Sequence, residues 1–173
     1  NDLYSMRQFT SLDELYSEDE VAYLAIISNP NLKLLKKVSS MQRCVQGLGL
    51  RDADNIQPDD MEQIFGAWPN LLTIFFDNCQ INEIPESING LESLNELAIL
   101  DGQISNLPTC IGNLTNLMTI TISNNRLTSL PESLGNLTNL TELELPQNGL
   151  TSLPQTLGNL RALQHLYLDD NKL

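Results

Sequence analysis

In the stretch "LTELELPQNGL" (140–150) apolar and polar residues interleave, and the pattern stops at Pro146. A period of two predicts a short strand, with Leu143 and Leu145 on one face and Glu142 and Glu144 on the other. The stretch is one copy of a longer unit with a period of 23. "LPTCIGNLTNLMTITISNNRLTS" (107–129) is followed by "LPESLGNLTNLTELELPQNGLTS" (130–152) and "LPQTLGNLRALQHLYLDDNKL" (153–173). Strands repeated at a fixed period stack as a parallel sheet, and each "LPxxLGNLxxL" segment supplies the return path and the other half of a shared apolar core.

The apolar frame continues backwards with weaker copies. Leu94, Leu97, Ile99 and Ile104 keep it, as do Leu71, Ile74, Phe76 and Ile81. Val45, Leu48 and Leu50 fit after a spacing of 26, and Val21, Leu24 and Ile26 after one of 24. The early return segments are longer. "QPDDMEQIFGAW" has Pro58 at the start, Asp59 and Asp60 in the first turn, and Met61, Ile64 and Phe65 at helical spacing, which predicts a convex-side helix. "SLDELYSEDE" pairs Ser11 with Glu14 as a capping box and puts Leu12, Leu15 and Tyr16 on one face, which predicts a cap helix. The expected fold is an α/β solenoid with a concave parallel sheet of about seven short strands. An N-terminal helical cap occupies 1–20 and repeats fill 21–173, irregular over 21–83 and regular over 84–173.

The units resemble leucine-rich repeats, whose signature LxxLxLxxNxL is met by Leu117, Ile120, Ile122, Asn125 and Leu127. It returns as Leu140, Leu143, Leu145, Asn148 and Leu150, and again as Leu163, Leu166, Leu168, Asn171 and Leu173. The "LPxxLGNLTNL" half is similar to a 23-residue class of bacterial repeat proteins and of Ras-binding, scaffold-type eukaryotic ones. Cys79 replaces the asparagine in one repeat, a substitution the family tolerates, and Gly102 replaces it in another. The leader resembles those of some bacterial repeat arrays.

Each signature asparagine falls at the turn after its strand, where the chain bends and leaves backbone groups unpaired. An amide with two donors and an acceptor can satisfy them, so Asn125, Asn148 and Asn171, with Cys79, are expected to form a structural ladder.

The residues between the leucines form three outward columns. Tyr23, Gly47, Thr73, Glu96, Thr119, Glu142 and His165 make the first. Ala25, Gly49, Phe75, Ala98, Thr121, Glu144 and Tyr167 make the second, and Ile27, Arg51, Asp77, Leu100, Ser123, Pro146 and Asp169 the third. Phe75, Ala98 and Leu100 form an apolar patch, with Tyr23, Ala25 and Ile27 at the N-terminal end. Glu96, Glu142, Glu144, Asp169 and Asp170 form an acidic zone. Aromatic and apolar groups among acids suit an interaction surface. The expected partner-binding set is Phe75, Glu96, Ala98, Leu100, Thr119, Thr121, Glu142, Glu144, His165, Tyr167 and Asp169.

Charge narrows the partner. The net charge is −13, and residues 52–125 carry eleven Asp or Glu with no Lys or Arg. This opposes binding to nucleic-acid phosphates or anionic lipid and favours a basic or amphipathic protein or peptide. No apolar run approaches the ~18 residues of a membrane span, and no signal segment opens the chain.

Enzyme chemistry needs groups that converge, and the array separates them. The one histidine, His165, lies four repeats from Cys79, about 19 Å at the spacing of adjacent strands. "RDADNIQPDD" departs from a calcium loop, with Ile56 at the fifth position and Gln57 where glycine belongs. "NLT" at Asn113 and Asn136 matches a glycosylation sequon but is repeat consensus. No catalytic residue, metal site or cofactor is expected. Cys44, Cys79 and Cys110 are expected to be buried free thiols. Free cysteines without bonded caps favour a bacterial protein, cytoplasmic or exported.

The functional expectation is therefore a non-enzymatic protein-binding module that uses its concave face. Two alternatives stand beside it: the substrate-recognition part of a larger enzyme such as a bacterial ubiquitin ligase effector, and a self-associating adhesive or structural protein. The chain stops within a repeat, so self-association through an uncapped C-terminal edge is a further expectation.

Overall fold

The computed structural model describes residues 25–28, 46–53 and 56–173. The expected cap helix at 1–20, Tyr23, Cys44 and residues 54–55 lie outside this set. Seven parallel strands follow one another in one sheet in chain order: β1 (Ala25–Ser28), β2 (Gly47–Arg51), β3 (Thr73–Asp77), β4 (Glu96–Leu100), β5 (Thr119–Ser123), β6 (Glu142–Glu144) and β7 (His165–Tyr167).

Residues pair across the sheet at the repeat period. Gly47 pairs with Thr73, 26 positions on, and from there the spacing is 23: Thr73 with Glu96, Glu96 with Thr119, Thr119 with Glu142, Glu142 with His165. The pairing of β1 with β2 corrects the expected spacing of 24. Ala25 pairs with Leu48 and Ile27 with Leu50, a spacing of 23. Because strand side chains alternate, a one-residue shift exchanges the two faces. Ala25 and Ile27 thus share register with the core leucines, and Ile26 and Ser28 share it with Gly49 and Arg51.

Spacing also selects the return element. The 26-residue unit between β2 and β3 holds α1 (Pro58–Ala67), which buries Met61, Ile64 and Phe65. At its start the Gln57 N–H donates to Asp60 Oδ2 at 3.0 Å, and Asp59 and Asp60 face the positive end of the helix dipole. The 23-residue units from β3 to β7 hold five-residue 3₁₀ turns: Glu86–Gly90, Thr109–Asn113, Glu132–Asn136 and Gln155–Asn159. Each follows a proline in extended conformation, whose carbonyl accepts the first bond: Pro108 from the Ile111 N–H, Pro131 from Leu134 and Pro154 from Leu157, all at 3.1 Å. Proline has no N–H to lose there, and its fixed φ prepares the turn.

The core runs between the sheet and these turns. Leu97, Ile120 and Leu143 from the strands and Ile88, Ile111 and Leu134 from the turns are wholly inaccessible. The turns pack closely enough to demand glycine: a Cβ on Gly112 would lie 2.2 Å from the Ser133 carbonyl oxygen, and one on Gly135 2.3 Å from that of Thr156. Burial fails at β7, where Leu166 is 41% exposed while its counterpart Leu143 is fully covered.

Candidate interaction surface on the concave face

Strand alternation decides what the concave face presents. The inward residues are leucine, isoleucine or phenylalanine, so the residues between them form outward columns held in register by the backbone ladder. In the first column Thr73, Glu96, Thr119 and Glu142 are half-buried and His165 is exposed. In the second, Phe75, Thr121 and Glu144 are half-buried and Tyr167 is exposed. Ala98, at 8% exposure, offers almost no surface of its own. In the third, Leu100, Ser123 and Pro146 are half-buried and Asp169 is exposed. Phe75 and Leu100 therefore supply the central apolar area. Phe75 pairs with Ala98, and that small neighbour adds little bulk beside the ring.

The acids differ in how they are compensated. Asp77 accepts from Arg51 Nε at 2.8 Å, the one ion pair among the described residues. Glu96, Glu142 and Glu144 have no described cation within pairing distance. Glu144 accepts a bond from Thr121 Oγ1 at 3.3 Å. Its carboxyl is held above the usual range, first by burial and then by the neighbouring charge of Glu142, which outweigh the help from Thr121 and His165. On β7 the His165 and Tyr167 rings are parallel to within 5°, their centroids 6.2 Å apart.

Behind the strands lies a ladder of side chains that bond to backbone. Asn148 Oδ1 accepts from the Leu127 N–H at 3.0 Å, and its Nδ2 donates to the carbonyls of Ile122 (2.8 Å), Pro146 (3.1 Å) and Leu145 (3.3 Å). Asn125 accepts from the Ile104 N–H at 3.0 Å and donates to Ile99 and Ser123. Asn171 accepts from the Leu150 N–H and donates to Leu145, Leu168 and Asp169. Among the described residues Cys79 supplies donor bonds, its thiol reaching the Leu50 and Asp77 carbonyls at 3.4 Å.

A second periodic feature escaped the sequence reading. From Arg51 onward, the residue after each third-column position has a left-handed backbone: Asp52, Asn78, Asp101, Asn124, Gln147 and Asp170, with φ between 50° and 55°. Five of the six are Asp or Asn, the non-glycine types that adopt this conformation most readily. Asn78 donates to Asp52 at 2.7 Å and Asn124 to Asp101 at 2.6 Å, which lines the rim of the face with bonded pairs. The recurrence of Asp or Asn just before Ala53, Cys79, Gly102, Asn125 and Asn171 was the available signal.

Other groups do not assemble a site. Cys79 is buried, but Cys110 is only half-buried, which corrects the expectation for that thiol. Cys110 lies along the 3₁₀ column, packed toward the Glu86 carbonyl at 3.6 Å, and its ionisation is pushed up to about 12, by burial first and then by Glu86. Cys79 is raised too, chiefly by burial. Among the described residues no three of His, Cys, Asp and Glu come together as a metal-binding group. No helix among them is long and apolar enough to cross a membrane.

The repeat geometry meets its counterpart in known proteins. The family described as "Leucine-rich repeat region" matches residues 24–173. The chain belongs to the leucine-rich-repeat proteins. A solved leucine-rich-repeat protein of Leptospira interrogans is 28% identical, with a TM-score of 0.75, over 95% of this chain and 41% of that one. Internalin C2 of Listeria monocytogenes is 22% identical with a TM-score of 0.61, over 78% of this chain and 66% of that one, a likeness of fold. This leucine-rich-repeat chain thus spans less than half the length of the Leptospira protein. Both neighbours are bacterial, and the repeat is of the bacterial type. No curated protein sequence matches the chain. Leucine-rich-repeat arrays commonly serve as protein-interaction modules.

Proposed function

We propose that this leucine-rich-repeat chain is a non-enzymatic module that binds a basic or amphipathic protein partner on its concave face. The observation that carries the proposal is the contrast between Asp77, paired with Arg51, and Glu96, Glu142 and Glu144, which share one face without a described cation. A partner's Lys or Arg supplies the missing charge, and Phe75 and Leu100 offer apolar area beside it. The separation of His165 from Cys79 by four repeats supports binding rather than catalysis.

The test is retention of a partner by immobilised chain, compared with Glu142→Lys/Glu144→Lys and with washing in about 1 M salt, where the screening length is about 3 Å. Proteins that are held by the wild type and released by both changes support the proposal. Proteins that ignore both contradict it.

A further inference from the structure

The last two strands bring four outward side chains into one patch. Glu142 pairs in register with His165, and Glu144 with Tyr167. Adjacent strands lie about 4.8 Å apart and alternate residues about 7 Å apart along a strand, so the two rings stand one strand from the two glutamates, with the Glu144 carboxylate accepting from Thr121 Oγ1 on its other side at 3.3 Å. The rings are parallel and outward, and Tyr167 is 42% exposed.

Two glutamates held side by side without a described cation carry a repulsion that a bound cation removes. The Glu144 carboxyl is raised first by burial and then by the charge of Glu142. The rings then discriminate between cations. An ammonium is a compact, strongly hydrated point charge, whereas a guanidinium is flat and weakly hydrated. It can lie on an aromatic face while its N–H edge reaches carboxylates. Resting on the concave-face proposal above, we infer that Glu142, Glu144, His165 and Tyr167 form an arginine-selective subsite. It takes a partner's guanidinium flat against the parallel rings, with its N–H groups directed to the two carboxylates.

The probes are an acetylated, amidated peptide of alternating Arg and Gly and its Lys counterpart, titrated into the 173-residue chain by fluorescence anisotropy. The Arg peptide is expected to bind about tenfold more tightly, the scale of one well-formed stacked contact. Tyr167→Ala, a change at an exposed position, is expected to bring the Arg peptide down to the Lys level and leave the Lys peptide unchanged. Glu142→Gln/Glu144→Gln is expected to weaken both. Circular dichroism establishes that each variant is folded. An Arg preference that survives Tyr167→Ala overturns the subsite. Equal binding of both peptides through the glutamates overturns the subsite and leaves the basic-partner proposal standing. If neither peptide binds, both fail.

Discussion

Asn148 shows how much one side chain can hold in this array, because its amide ties three carbonyls of two repeats and the Leu127 N–H of the preceding one. Asn148→Ala strands those groups and is expected to cost about 1–3 kcal/mol by chemical denaturation. Asn148→Cys keeps the donor half, as Cys79 does, and is expected to cost less; equal losses would mean that the donors contribute nothing. Glu144 has the opposite sign. Its folded-state carboxyl is raised, so the stability linked to its protonation is fully present below the ordinary glutamate range and is lost as pH rises through the folded value. Glu144→Gln is therefore expected to leave stability at pH 7 unchanged or higher, with the gain gone at low pH. Thermal melts of both proteins across pH check this, and a variant that is less stable only at pH 7 would reverse the sign. The amide's role was legible in the sequence because turns must satisfy backbone groups. The left-handed column was not, since Asp and Asn in a loop also read as ordinary polar residues, and Gln147 breaks the pattern.

At the scale of elements, the glycine of each "LGN" provides an internal comparison. A Cβ on Gly135 meets the Thr156 carbonyl, whereas one on Gly158 has nothing within 4 Å. Gly135→Ala is expected to cost about 1–3 kcal/mol, as overpacking does, and Gly158→Ala in the same chain to stay within about 0.5 kcal/mol of wild type. Equal losses at the two sites would show that backbone freedom rather than close packing sets the requirement. Most elements were readable from spacing: the 26-residue unit carries the extra residues that α1 uses, and Pro58, Met61, Ile64 and Phe65 mark it. The pairing of β1 was not readable, because Val21, Leu24, Ala25, Ile26 and Ile27 give an apolar frame in either register. Backbone pairing at the common spacing of 23 selects one.

The whole molecule is a row of nearest-neighbour contacts, so its stability is a sum along the row. Leu166 and Tyr167 lack the cover that Leu143 and Glu144 receive from β7. Native-state hydrogen exchange is expected to protect the amides of β5 most and those of β7 least; uniform protection would mean global cooperativity instead. The concave columns followed from the period alone once β2 to β7 were aligned. Which acids remain uncompensated did not, because the Arg51–Asp77 pair spans the irregular 26-residue unit. That distribution of charge is the basis for a basic partner on the concave face. Zero-length carbodiimide coupling of this chain to a retained partner, followed by peptide mass spectrometry, locates the contact directly. Coupling of partner lysines to Glu96, Glu142, Glu144 and Asp169 is the predicted result, and coupling confined to Glu86 and Glu132 on the exposed 3₁₀ turns would contradict it.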